Sequence, residues 1–453
     1  MSPPFFSVPG SITAPNGFLA SGVFCDIKRL GTGKGSQKGN KPDLALIFSE
    51  KPATVAGMFT TNQVCAAPVK LCAARVRKGV AQAIVANSGN ANACTGRQGL
   101  KAAEQMAALL AAQVSVPPEH VLVASTGRIG VPMPMANVKD GIAKASKLLD
   151  GRPESAELAA QAILTSDTRS KEIAVEFALD GKPVRIGGIC KGAGMIQPGM
   201  SASGRRPAAT PLHATMLCFI TTDAKIKAPA LQTALQQAVA NSFNRITVDG
   251  DMSTNDTVLL LANGLAENKA ITAADAKKRA ASGGQRLGGF DLFQSALNHV
   301  CLELAKMIVR DGEGVSRFVT VRVSGARTFA DADAAARAVA NSSLVKTSWC
   351  GGDPNWGRIL DALGYSSAKV VEEKIDVGYS LPGSSKVFFS LRKGQPTTVS
   401  FLALCQITAE KEFDLHINLN LGSARALLYA CDLTEAYVDF NKGDVSDPSS
   451  MGG

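Results

Sequence analysis

Residues 187–224 read GGICKGAGMIQPGMSASGRRPAATPLHATMLCFITTDA. A glycine-rich turn carrying Lys191 leads through a polar, proline-bearing excursion to Ala214 and Thr215, and an apolar run from Met216 to Ile220 follows at once. A run of that kind after a turn reads as a buried strand. A threonine at the head of a buried strand, behind a loop that can strain the preceding peptide, has what an N-terminal nucleophile needs. Its hydroxyl attacks the preceding carbonyl, that of Ala214, the ester hydrolyses, and a free α-amine is left beside the hydroxyl. With a reference pKa of roughly 7.7–8.0, that amine can serve near neutral pH as the threonine's own general base.

Outward from this stretch, strand-like and helix-like runs alternate along the chain. Residues 43–49, 81–87, 121–126, 173–179, 183–190, 215–222, 257–264, 317–326, 399–404 and 412–421 read as strands. Helical periodicity covers 99–113, 154–164, 228–243, 291–310 and 331–341, the last with an acid-started first turn. Strands in pairs with helices between the pairs argue for an α+β fold of stacked sheets with helices outside. GTGKGSQKGN at 31–40 and the tail from 443 read as exposed segments. The first of these is not a phosphate loop: it lacks the GxxxxGK[ST] pattern, and a strand follows it where a helix would be needed.

Composition narrows the function classes. The 453 residues are 45% hydrophobic, enough for a large core in two or three lobes. No apolar run reaches the length of a membrane span, and the first residues lack the basic-then-apolar pattern of a secretory signal, so a cytoplasmic chain is expected. Ten cysteines are scattered without a CxxC pair, and four histidines without a cluster, which fits reduced thiols and no metal site. The net charge of +10 is dispersed and aromatics make up 5% of residues, a poor match to a nucleic-acid surface and a better one to a positive field for small carboxylates.

Several short segments carry chemistry. In STGRIG (125–130) a strand ends at Thr126-Gly127, where glycine lets the backbone approach a substrate closely. Lys191, flanked by glycine, offers a point cation with backbone amides nearby. Glu313 in RDGEG follows a long helix, and Thr165 in TSDT presents a hydroxyl at a helix end. NSGNANACTG (87–96) and GDMSTNDT (250–257) read as tight, side-chain-capped turns near the site, and VDGD (248–251) as a structural turn.

Taken together, KGAGMI with ATML and FITTDA, ITAPNGF (12–18), GMFTTNQVCAAPV (57–69), NSGNANACTG, STGRIG, TSDT, SFNRITVDGDMSTNDT (242–257), RDGEG, GDPNWGRI (352–359) and CDLT (431–434) resemble the ArgJ family of ornithine acetyltransferases along nearly the whole chain. The resemblance implies an ArgJ/DmpA-like layered α+β fold with N-terminal-nucleophile logic. It also implies self-cleavage between Ala214 and Thr215, into an α chain of residues 1–214 and a β chain of 215–453, and acetyl transfer from N2-acetyl-ornithine to glutamate through acetyl-Thr215. Thr126 and Gly127 would form the oxyanion hole. Thr165, Lys191, Thr215, Glu313, Asn441 and Ser446 would bind substrate. No cofactor is implied, although some members take acetyl-CoA as a second donor; no CoA-binding motif is visible in this chain. Association as two α and two β chains is expected, without nucleic-acid or membrane partners.

Two departures stand out. The family pattern joins the methionine of KGAGMI-x-P-x-M directly to ATML, whereas here Ser201–His213 intervenes. At the C-terminus Asn441 and Ser446 keep the family spacing, but the residues between them differ. An autoproteolytic amidohydrolase or aminopeptidase of related fold, in which water takes the acyl group, is the rival reading.

Overall fold

The computed structural model describes residues 4–28, 41–204, 216–275 and 288–442. Ala214, Thr215, Ser446, most of the Ser201–His213 insert and the 31–40 stretch lie outside the described residues.

The strands LCFITT and TVLLLA, β8 (Leu217–Thr222) and β9 (Thr257–Ala262), are buried at every position and pair in parallel. An unbroken apolar strand suits a parallel pair covered on both faces. They occupy the middle of a nine-stranded mixed sheet. On one side β8 pairs antiparallel with β7 (Lys182–Lys191), which leads to β6 (Lys171–Leu179) and β1 (Phe6–Ser7). On the other side β9 pairs with β3 (Leu44–Phe59), followed by β4 (Val80–Asn90) and β5 (Val121–Arg128), while β2 (Phe18–Val23) pairs with the first half of β3. The β7–β8 register sets Lys191 opposite Leu217.

Alternation along the strands sorts side chains onto two faces. Cys218, Ile220, Val258 and Leu260 pack with α5 (Ala228–Ala240) and α6 (Gly289–Arg310). Leu217, Phe219, Leu259 and Leu261 point the other way, toward α1 (Ala67–Val76) and the alanine face of α4 (Pro153–Ala162). Helices α2 (Gly96–Val114) and α3 (Met135–Ser146) cover the opposite face of the β3–β5 end. The outcome is the expected α+β layering.

A second sheet has the order β13 (Gln395–Pro396), β12 (Phe388–Arg392), β11 (Asp376–Ser380), β14 (Glu412–Asn418), β10 (Phe318–Ala326) and β15 (Ala424–Cys431). One face is covered by α7 (Phe329–Asn341), α8 (Ser343–Cys350), α9 (Trp356–Gly364) and α10 (Phe401–Thr408) around Trp349, Tyr379 and Phe413. The apolar run at 399–404, expected as a strand, opens α10 instead. The Ser400 hydroxyl accepts the amide of Ala403 as an N-cap, and Leu404, Ile407 and Thr408 form the buried stripe while Phe401 and Leu402 face outward.

All ten cysteines are free. Among the described residues no helix is long and apolar enough to cross a membrane, and no His/Cys/Asp/Glu group is arranged to hold a metal ion.

Candidate active site

Strands β4 and β5 run parallel until Gly89, where the register slips and the two chains diverge. The backbone at Gly127 takes φ 130°, and a Cβ there would lie 2.3 Å from the carbonyl carbon of Gly89. Only glycine fits. Thr126 beside it is buried. The position is pinned from below by Asn255, whose Nδ2 donates to the carbonyls of Ala91 and Ser125, both at 2.7 Å. The turn residues of 87–96 behave as expected: Asn90 Oδ1 accepts the Asn92 amide at 2.8 Å, and Asn92 Nδ2 donates to the Gly99 carbonyl at 2.9 Å. Asn255→Ala would strand two buried carbonyls, so urea unfolding should show a loss of about 1–3 kcal/mol per acceptor. Wild-type stability would mean that this bridge is dispensable.

Lys191, read from the sequence as part of a glycine-flanked turn, closes β7 and is 2% exposed. Its ammonium donates to Thr165 Oγ1 at 2.7 Å and to Thr126 Oγ1 at 3.4 Å, and lies 3.8 Å from Asp167. Burial pushes the Lys191 pKa down, with Asp167 pulling against it. Asp167 is the hub. It takes Lys171 Nζ at 2.6 Å and the Gly192 amide at 2.7 Å. Burial alone would raise its carboxyl, but the Lys191 and Lys171 ammoniums outweigh that and hold it well below the usual range. Lys171 in turn bonds Asp311, which also receives both the hydroxyl and the amide of Thr168. Burial lowers the Lys171 pKa, and Asp167 and Asp311 more than reverse it. A buried charge is tolerable when paired in this way.

Glu313 reaches the same place from the end of α6. A Cβ on Gly194 would lie 2.3 Å from Glu313 Oε2, so the absent side chain makes room for the carboxylate. Asn441, the last residue of α11 (Glu435–Asn441), donates to Glu313 Oε2 at 2.9 Å. Asp249 shapes the KGAGMI turn by accepting the amides of Met195 and Ile196, which is the structural role read for VDGD.

Thr126, Gly127, Thr165, Lys191, Glu313 and Asn441 thus line one cavity of about 190 Å³, with Ala91 and Ser253–Asn255 among the rest of its wall. Thr215, Ala214 and Ser446 fall outside the described residues. Met216, the next residue described, is buried, and its amide donates to Asp256 Oδ1 at 2.5 Å, one residue before the Leu217–Lys191 pair. A larger hollow of about 660 Å³ lies on the outer face of the second sheet among Arg245, Arg322, Arg392 and Arg425. It contains none of the anticipated residues. Size alone is the weaker guide; the smaller cavity holds the convergent polar groups, the buried Lys191 ammonium among them, that mark binding sites. Asp167, Asp311, Asn255 and Asp256 were not singled out from the sequence, where each looks like an ordinary turn residue.

The ArgJ family model matches residues 27–443. An arginine biosynthesis bifunctional protein ArgJ from Symbiobacterium thermophilum is 45% identical over 432 residues, covering 95% of this chain and 98% of that protein. A glutamate N-acetyltransferase from Methanocaldococcus jannaschii is 43% identical over 439 residues, with coverage of 96% and 98%. Among solved structures, an ornithine acetyltransferase from Mycobacterium tuberculosis complexed with ornithine overlaps 44% of this chain and 100% of its own, at 35% identity and a TM-score of 0.39. On the strength of the family model and of relatives matched almost end to end, the chain belongs to the ArgJ family.

Proposed function

We propose that this protein is a self-cleaving acetyltransferase of arginine biosynthesis that moves acetyl from N2-acetyl-L-ornithine to L-glutamate. The observation that carries the reading is the convergence of Thr126, Gly127, Thr165, Lys191, Glu313 and Asn441 on one small cavity, beside the strand that begins just after Thr215. Thr215 is the nucleophile in this scheme. The Thr126–Gly127 strand end stabilises the oxyanion, the Lys191 ammonium takes the substrate α-carboxylate, and Glu313 with Asn441 meets the ornithine side-chain amine. Thr165 orients Lys191, and Ser446 completes the acceptor side. Ornithine leaves, glutamate enters, and its amine collects the acetyl group, giving ping-pong kinetics.

The reaction needs no cofactor. The relatives carry two kinds of name, bifunctional protein and glutamate N-acetyltransferase, and acetyl-CoA as a second donor for glutamate is the extension the first name favours. Processing into chains 1–214 and 215–453, their assembly as two of each, and a cytoplasmic location belong to the same reading.

Mixing enzyme with acetyl-ornithine, with and without glutamate, tests it. Ornithine release should require glutamate and be matched by acetyl-glutamate. Release indifferent to glutamate would identify a hydrolase. Repeating the assay with acetyl-CoA in place of acetyl-ornithine decides the second donor.

A further inference from the structure

The hollow of about 660 Å³ on the outer face of the second sheet shares no lining residue with the smaller cavity. Its size falls in the range that encloses small molecules, roughly 300–1,000 Å³. Strand register builds the floor. Arg322 of β10 stands between Leu427 of β15 and His416 of β14; His416 pairs with Gly378 of β11, and Gly378 with Phe389 of β12. A Cβ at Gly378 would lie 3.0 Å from Phe389 Cδ1, so the glycine lets that ring lie against the sheet. The Arg392 guanidinium lies over the same ring, 3.6 Å from its centroid, and the Arg245 guanidinium 5.0 Å from that of Phe329. Flat cations held on aromatic faces keep their N–H edges free for a ligand.

The charges in this wall are not spent on one another. Arg185, Arg310 and Arg337 elsewhere each meet a carboxylate, in Glu176, Glu412 and Asp333. Around the hollow, Arg392 and Arg425 have no carboxylate partner among the described residues, and Arg425 has no hydrogen bond there either. Arg322 gives only Nε to Asp414, at 2.9 Å, which leaves both terminal nitrogens. Arg245 gives Nε to the Ala240 carbonyl and one terminal nitrogen to Asp333, which leaves the other. The one carboxylate in the wall, Asp376, is taken up by the Lys393 amide at 2.8 Å and by Asn420 Nδ2 at 3.1 Å. Guanidiniums gathered around one concavity repel each other and add their fields inside it, a cost that a bound anion offsets. We propose that this hollow is a second binding site, for a small molecule carrying two or more phosphate or carboxylate groups. Arg392 and Arg425 grip one anionic group through paired N–H bonds, and the spare nitrogens of Arg322 and Arg245 receive another.

Calorimetric titration of the full chain with pyrophosphate and, separately, with citrate tests the site. At least one of the two should bind saturably, one per chain, with tighter pyrophosphate identifying a phosphate ligand and tighter citrate a polycarboxylate. Arg392 and Arg425 are both exposed, so the double variant R392Q/R425Q should fold and should bind at least about tenfold more weakly, since each lost guanidinium removes charge-assisted bonds. No saturable binding of either anion up to about 1 mM, or wild-type binding by the double variant, would overturn the proposal. Lys191→Met should bind as the wild type does. Binding lost in Lys191→Met but kept in the double variant would put the anion in the smaller cavity instead. Self-association that the double variant abolishes, without anion binding, would make the hollow a contact between copies and equally refute it. Should the double variant not fold, the wild type still decides: the bound anion should slow phenylglyoxal modification of Arg392 and Arg425, followed by mass spectrometry, and unprotected arginines refute the site.

Discussion

Thr215→Ala is expected to remain one uncut chain with no measurable acetyl transfer, a loss on the order of 10⁴-fold or more, because the same hydroxyl is spent first on the chain and then on the acetyl group. The wild type should give two bands on a denaturing gel, and amino-terminal sequencing of the C-terminal piece should begin Thr-Met-Leu-Cys. In native conditions the pieces should travel together. The fold explains why: β8 and β9 belong to the C-terminal piece, yet β8 is zipped to β7 and β9 to β3, both from the N-terminal piece. Pulling them apart would open the middle of a sheet and expose Phe219, Ile220, Leu259 and Leu260 to water. Thr215→Ser should cut in part, as it keeps the hydroxyl without the methyl that restricts its rotamers. A first residue other than Thr215, or transfer by the alanine variant, would sink the mechanism.

Lys191→Met should be the next most damaging change, lowering kcat/KM by about 10²–10³. A lysine that merely greeted a carboxylate would raise KM for both amino acids. The geometry adds a fall in kcat, because Nζ also ties the Thr126 and Thr165 hydroxyls into one network. Self-cleavage should survive. There is a stability consequence as well. Asp167 has a depressed pKa in the folded protein, so it stabilises the fold above the carboxylate's reference value near about 3.9 and loses that contribution as pH falls through the folded value. Removing Lys191 takes away one of its two cationic partners and leaves Lys171. The variant should therefore begin acid unfolding at a higher pH than wild type, followed by circular dichroism. Unchanged substrate kinetics would make Lys191 purely structural.

What could be read beforehand follows from how local each signal is. β8 was legible because five apolar residues, Met216–Ile220, follow a turn, and the Thr126–Gly127 strand end because glycine after an apolar run marks close backbone approach. Lys191 was placed in the right motif but in a turn, where the structure puts it at the end of a strand: sequence shows its glycine neighbour, not the register that sets it opposite Leu217. The 399–404 run misled because a short apolar stretch has no period of its own; the Ser400 cap and the spacing of Leu404, Ile407 and Thr408 decide for helix. Strands β1, β2, β11, β12, β13 and β15 and helices α1, α3, α8, α9 and α11 were missed, being short or weakly patterned. The Asp167–Lys171–Asp311 chain of charges could not be seen at all, for Asp311 lies 140 residues from Lys171 and nothing in either segment announces the other.

The central placement of β8 gives the molecule a history. A strand can be threaded between β7 and β9 most readily while covalent links on both sides limit the search; once its leading link is severed, inserting it becomes an encounter between two separate polypeptides. Under the proposed cleavage before Thr215, assembly would have to precede scission, and the cut enzyme would be held in place by a route it could no longer retrace. The durability of such a cut protein would depend less on the depth of its free-energy well than on how seldom that central strand comes loose.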